Sequence, residues 1–266
     1  MDIIVCFKQV LDPDIPSRDF KVDESAKRVI PPPNVSPVIN NFDEYALEAS
    51  VQLKESLGGA ITVLTVGGGD TMDNIKKALA MGCDEAVLLN DESFAGSDAF
   101  GSAHALAAAI RKIARFDLIL FGRVSSDWSS GATGIAVAEI LGLPSVSQVQ
   151  KIEPEEGKLR VERVLEDGSA AYEVPLPCVL TLSNEINEPR LPTVPGILKA
   201  SRKKVPTWTA SDLDLSAGDF GAEASRERLL RLYVPKHESR CQLVEGESPE
   251  EAAGKLALVL REKKII

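Results

Sequence analysis

The residues of this sequence best suited to gripping an anion lie in one stretch, FDLILFGRVSSDWSSGATGIAVAEILG, residues 116–142. Its middle holds Gly122, Arg123, Ser125, Ser126, Asp127, Ser129, Ser130 and Gly131, interrupted by a single aromatic, Trp128. Hydroxyls and backbone N–H groups donate to phosphate oxygens, glycine lets the backbone come close, and arginine adds a charge-assisted bond. The same residues also suit a solvated turn with Ser130 capping the next helix, so the loop alone leaves both readings open. Other chemistries find little support. Gly67-Gly68-Gly69-Asp70-Thr71 is not followed by Gly-Lys-Ser/Thr, and Met72 stands where a dinucleotide fingerprint needs its last glycine. There is no GxSxG, and the two histidines, His104 and His237, lack the acidic or serine context of a catalytic base. Cys6, Cys83, Cys178 and Cys241 are scattered without metal-ligand spacing.

The elements around the loop say how it is held. Leu118 to Phe121 is an apolar run of strand length, buried on both faces, and Ile135, Ala138 and Ile140 or Leu141 follow at helical spacing. Three more such units precede it. Ile3 to Phe7 reads as a central strand ending at Lys8, with a helix from Asn41, the expected N-cap, to Leu57. Ile61 to Val66 is a second strand, followed by the glycine loop, with Asp70 as a possible cap, and a helix to Met81. Glu85 to Leu89 is a third, followed by a helix over Ser97 to Arg115. Four β-then-α units predict a parallel sheet covered by helices on both faces, with ligands beyond the carboxyl ends of the strands. Lys8, Gly67–Thr71 and Gly122–Thr133 all fall on that rim, which favours the phosphate-binding reading.

Outside these units, Phe20–Val22 and Arg28–Ile30 suggest a small hairpin, and Pro31-Pro32-Pro33-Asn34 breaks regular structure. Val146–Ile152, Lys158–Leu165 and Ala170–Val174 alternate as an antiparallel meander, and Cys178–Leu182 is one more buried strand. Asn187–Arg202 holds Pro189, Pro192 and Pro195 and shows no sustained period. Its basic run, Lys199, Arg202, Lys203 and Lys204, suits a solvated linker or an acidic partner. Ser248-Pro249-Glu250-Glu251 opens a helix whose apolar face is Ala252, Leu256, Val259 and Leu260. The chain therefore divides into an α/β nucleotide-binding domain, residues 1–187, and a C-terminal arm, residues 188–266, with too little apolar content to fold alone. Such an arm is expected to lie across another chain.

Acidic residues outnumber basic ones 40 to 30, against wholesale binding to nucleic acid or anionic lipid. No apolar run reaches the roughly 20 residues of a membrane span, and Met1-Asp2-Ile3-Ile4 lacks the basic region of a signal peptide. With unpaired cysteines, a cytoplasmic protein is the expectation.

Several segments resemble the β subunit of electron transfer flavoprotein. They are Asn187-Glu188-Pro189-Arg190 with Ile197, Lys199, Ala200, Lys203 and Lys204; Cys6-Phe7-Lys8-Gln9-Val10; Asn40, Phe42, Glu44 and Ala46; and Ala78-Leu79-Ala80-Met81-Gly82. The resemblance implies a Rossmann-like domain of the adenine-nucleotide hydrolase type. Its arm would wrap an α subunit that holds most of the redox-active FAD, and the chain itself would bury AMP or a second FAD. By position, that nucleotide would contact Cys6, Asn40, Asn41, Phe42, Asp43, Val66, Gly122, Arg123, Val124, Ser125, Ser126, Asp127, Ser129, Ser130, Gly131, Ala132 and Thr133. The family's loop reads G-K/R-Q-x-x-D-x-D-x-x-Q-T/V-G. Here Val124 and Ala132 replace both glutamines and Ser129 the second aspartate, which removes side-chain contacts that distinguish nucleotides.

The bulk of Trp128 favours the smaller ligand, AMP. The resemblance also implies a carrier without catalytic residues, shuttling electrons between a flavin dehydrogenase and an acceptor such as a quinone reductase. A partner-recognition loop would fall near Ser216–Leu232, rich in arginine at Arg226, Arg228 and Arg231. The alternative is a stand-alone adenine-nucleotide-binding protein of the stress-protein or nucleotide-hydrolase type. It shares the sheet and loop but has no use for the arm.

Overall fold

The computed structural model describes residues 1–216, 218–235 and 241–266 of the chain. His237 and parts of the expected arm and recognition loop lie outside the described residues. Residues 1–21 with 29–230 form one compact unit, and residues 22–28 with 231–266 a second.

In chain order the elements run β1 (Ile3–Cys6), β2 (Gln9–Val10), β3 (Lys21–Asp23), β4 (Arg28–Ile30), β5 (Val38–Ile39), α1 (Asn41–Leu57), β6 (Ile61–Val66), α2 (Met72–Met81), β7 (Glu85–Leu89), α3 (Ala99–Ile113), β8 (Leu118–Gly122), α4 (Thr133–Leu141), β9 (Ser145–Glu155), β10 (Lys158–Leu165), β11 (Gly168–Pro175), β12 (Cys178–Leu182), α5 (Val194–Arg202) and β13 (Thr207–Trp208). The short β3 and β4 pair with each other where the hairpin is expected. The second unit carries α6 (Pro249–Glu262), whose N-cap is Ser248, as the sequence predicts.

Nine strands form one sheet in the order β11-β10-β9-β12-β8-β1-β6-β7-β13. Its centre is parallel, with β1 registered against both β6 and β8 through Ile3, Ile4 and Val5. The expected meander is present and continues the same sheet, because β9 pairs parallel to β12 while β10 and β11 run antiparallel. The α/β fold with a mostly parallel sheet is thus as predicted.

Successive strand residues point to opposite faces, and they sort into two cores. Ile3, Val5, Val63 and Leu120 pack with α1, α2 and Ala200 of α5 on one face. Ile4, Cys6, Leu64 and Ile119 pack with α3 and α4 on the other. The adjacent strands β1 and β8 are therefore followed by helices on opposite faces. Loops diverging in this way open a crevice between them, the usual ligand position in such sheets.

Two expectations fail in the segment after β12. Asn187–Arg202 contains a helix, α5, despite its prolines. Thr193 caps it, its hydroxyl accepting the Gly196 N–H at 3.2 Å, and Pro195 sits in the first turn, where a missing N–H costs nothing. The basic run is not uniformly solvated either. Lys203 Nζ donates to the carbonyls of Cys83, at 2.9 Å, and Asp84, and Lys76 Nζ returns to those of Ala200, at 3.0 Å, and Lys203. This lacing holds α5 on α2.

Candidate functional site

The crevice is built from the outer ends of β1, β6 and β8, where Cys6, Val66 and Gly122 stand on neighbouring strands. Its walls are the start of α1 and the loop from Gly122 to Thr133. Asn40 is the N-cap of α1, one residue before the expected Asn41. With φ −53° and ψ 128° it has a backbone suited to capping, yet its side chain makes no cap bond. The amide is committed elsewhere. Nδ2 donates to the Val124 carbonyl at 2.8 Å, and Oδ1 accepts the Ser126 N–H at 3.0 Å. The loop is thus pinned by a residue more than eighty positions earlier.

Asp43 makes the second link. Its carboxylate accepts the Lys8 N–H at 2.8 Å and the Gly122 N–H at 3.0 Å, tying the ends of β1 and β8 together. The side chain is buried. Burial pushes its carboxyl up to about 7, against the pull of these donors. The same desolvation, with Asp43 close by, raises the thiol of the buried Cys6 well above its ordinary value, which favours its protonated form. Gly122 is required at this junction: a Cβ there would lie 2.5 Å from Asp43 Oδ1.

Within the loop, Arg123 lies over the Phe42 ring, 4.9 Å from its centroid, and donates its N–H to the Leu182 carbonyl at 2.9 Å. Asp127 reaches across to Lys8, Oδ2 to Nζ 2.6 Å, and its Oδ1 accepts the Trp128 N–H at 2.8 Å. Burial raises the Asp127 carboxyl, but the Lys8 ammonium and the Ser125 hydroxyl outweigh it and hold it below the usual range. Ser126 to Ser130 are exposed. Ser129 turns at φ +53° and Gly131 at φ +63°, where a Cβ would meet the Arg123 carbonyl at 3.0 Å. Trp128 is 60% exposed, so its bulk stands in solvent and does not fill the crevice.

Ser130 is not the cap of α4. That helix begins after Ala132, which has no side chain to cap with. Nor does Asp70 cap α2: Thr71 occupies that position without a cap bond, while Asp70 accepts from Gln9 Nε2 at 2.8 Å. The Thr71 hydroxyl is buried beneath Gly67 and has no hydrogen-bond partner among the described residues. None of the three helix starts on this rim has a side-chain cap, but α2 continues a 3-10 turn over Gly69–Thr71 whose Gly69 carbonyl accepts the Met72 N–H, so α1 and α4 are the starts that offer uncapped backbone N–H groups. Such ends carry partial positive charge and favour anions.

The predicted residues thus gather at one place, with a division of labour the sequence does not reveal. Asn40 and Asp43 hold the rim together, while the loop residues from Ser126 to Ser130 are exposed, part of their hydroxyls and amides bonded within the loop or to Asn40. The sequence marks one further group, the Asn187-Glu188-Pro189-Arg190 segment, without showing its role. Arg190 of the Asn-Glu-Pro-Arg segment forks onto Glu48, 2.8 and 2.9 Å, and onto Glu55, 2.6 Å, along α1, and Asn187 Nδ2 donates to the Tyr45 carbonyl at 3.1 Å. The signal was the motif itself, whose role is to lock the post-β12 chain onto the helix that starts the crevice.

Comparison with known proteins bears on this geometry. Residues 34–213 match the model of the electron transfer flavoprotein domain. The chain is 36% identical to the caffeyl-CoA reductase-Etf complex subunit CarD of Acetobacterium woodii, over all of both chains. It is 37% identical to an electron transfer flavoprotein subunit beta of Thermoanaerobacterium thermosaccharolyticum, covering 94% of each, and 38% identical to that of Bacillus subtilis, covering 86% of this chain and 88% of the relative.

Proposed function

The chain belongs to the electron transfer flavoprotein family as a β-type subunit, and from that premise we propose that its crevice holds an adenine nucleotide, AMP or a second FAD. The protein has an electron-transfer role and acts as a carrier. The redox-active FAD, held mainly by an α subunit, supplies the electron chemistry when bound, and this chain contributes position and packing.

One observation carries the nucleotide reading: Asn40 has the backbone of a helix cap but spends its amide on the loop at Val124 and Ser126, leaving the start of α1 open toward the crevice. The residues present fit a nucleotide phosphate. The Ala132 start of α4 and the close approach allowed by Gly131 provide backbone donors, Ser125, Ser126, Ser129, Ser130 and Thr133 provide hydroxyls, and Arg123 provides charge. Cys6, Val66, Phe42 and Asn41 would then lie toward the adenosine. Because Trp128 stands in solvent, its size favours neither ligand.

Within residues 188–266, α5 packs on α2 and β13 on β7, and the outward-facing apolar residues are assigned to contact with the α subunit. Leu191, Val194, Ile197, Leu198 and Leu230 are exposed, an apolar cost that a partner chain relieves. A flavin dehydrogenase and an acceptor oxidoreductase complete the circuit. Co-expression with an α-type subunit is expected to give a yellow 1:1 heterodimer, and expression alone a colourless, aggregating chain. A stable monomer in size-exclusion chromatography at high concentration contradicts the pairing.

A further inference from the structure

We propose that Lys8 is a phosphate ligand masked by Asp127, released to the nucleotide by an exchange of partners across the mouth of the crevice. This deepens the nucleotide reading above and rests on it. Lys8 follows β1, and Asp127 lies in the β8–α4 loop. Their bridge, Nζ to Oδ2 2.6 Å, therefore joins the two edges that part to form the crevice.

The two partners are not equally dependent on it. Asp127 keeps the Trp128 N–H at 2.8 Å and the Ser125 hydroxyl when the lysine leaves. Lys8 makes no other ion pair among the described residues. Its backbone is fixed, because Asp43 accepts its N–H at 2.8 Å, while the flexible stem carries a side chain 45% exposed. A half-exposed pair of this kind contributes little and opens readily. The other cation of the crevice is less available, since Arg123 is laid on the Phe42 ring.

A phosphate entering among the hydroxyls and amides of the loop arrives beside an ammonium whose one contact ion pair is with the Asp127 carboxylate, the buried Asp43 carboxyl acting on it from farther away. A phosphate group carries more charge and more acceptor oxygens than that carboxylate. Lys8 would then leave Asp127 Oδ2 for a phosphate oxygen, and no covalent bond is made or broken.

The two halves of the bridge have opposite expected effects, which a merely structural bridge does not produce. The full-length chain, co-expressed with its α-type subunit and stripped of nucleotide, would be titrated by equilibrium dialysis with AMP, whose adenosine and phosphate are common to both candidate ligands, and with adenosine. Lys8→Met is expected to weaken AMP about tenfold and leave adenosine unchanged, with Lys8→Arg restoring most of the loss. Asp127→Asn is expected to tighten AMP about threefold, since it removes the competing charge. A gain in affinity cannot come from misfolding. Equal losses of AMP in Lys8→Met and Asp127→Asn, or a parallel loss of adenosine, overturn the exchange and leave the nucleotide site standing. A wild-type chain that binds neither AMP nor FAD removes the site and the exchange together.

Discussion

Helices α1, α2 and α4 begin without a side-chain cap, whereas α3, α5 and α6 begin on Asp98, Thr193 and Ser248, each accepting a backbone N–H. The first three open onto the rim formed by the ends of β1, β6 and β8. A cap stabilises a helix by about 1 kcal/mol, so its absence at α1 and α4 leaves donors for an outside acceptor, whereas α2 continues the 3-10 turn over Gly69–Thr71. The contrast is sharpest between Asn40 and Asp98. Both are cap residues, but Asn40 reaches into the loop at Val124 and Ser126, and Asp98 serves the stability of its own surroundings.

The largest expected effect lies on the capped side. Asp98 accepts the N–H groups of Gly101, Arg226 and Glu227 at 2.9, 2.7 and 3.0 Å. Asp98→Ala should cost about 2–3 kcal/mol in urea unfolding and free the segment around Arg226, with nucleotide affinity unchanged. If nucleotide is lost with stability, the two regions are not separate in function.

A second effect concerns the buried carboxylate of the crevice. Asp43 is raised from the ordinary aspartate value to about 7 in the folded chain, so the folded state holds its proton more tightly than the unfolded one. Its contribution is fully present below about pH 4 and is lost as pH rises to about 7, the reverse of a salt-bridged carboxylate. The slope stays below about 1.4 kcal/mol per pH unit. Urea midpoints of the wild type and Asp43→Asn from pH 4 to 8 should differ by that falling curve, and a difference that rises with pH refutes it.

The smallest effect on stability sharpens the comparison most. Asn40→Ser gives α1 a cap but is too short to hold the loop. The cap gain offsets the lost bonds to within about 1 kcal/mol, while nucleotide affinity falls. A variant that keeps full affinity would show that the link from Asn40 to the loop is incidental.

How far the sequence foretold this depends on the range of the interactions. Ile61–Val66 and Cys178–Leu182 match their strands residue for residue, because a continuous apolar run bounded by breakers is a local signal. Helix α5 was hidden since Ala200 is its one buried residue, and Ile197 and Leu198 face outward and erase the period. The choice between Asn40 and Asn41 as cap, and the inward turn of Asp43, depend on Lys8, Gly122 and Val124. Partners dozens of residues away leave no trace in spacing. The site residues were legible as a group on one rim, through the order of the β-then-α units, but their separate roles were not.

The central claim is that the crevice between β1 and β8 holds an adenine nucleotide, and counting what leaves the protein tests it most directly. The purified heterodimer would be denatured, and the released nucleotides separated by chromatography and quantified per complex. The account predicts one adenine nucleotide beyond the FAD of the α subunit, seen as one FAD with one AMP or as two FAD. One FAD and no other adenine nucleotide would contradict it.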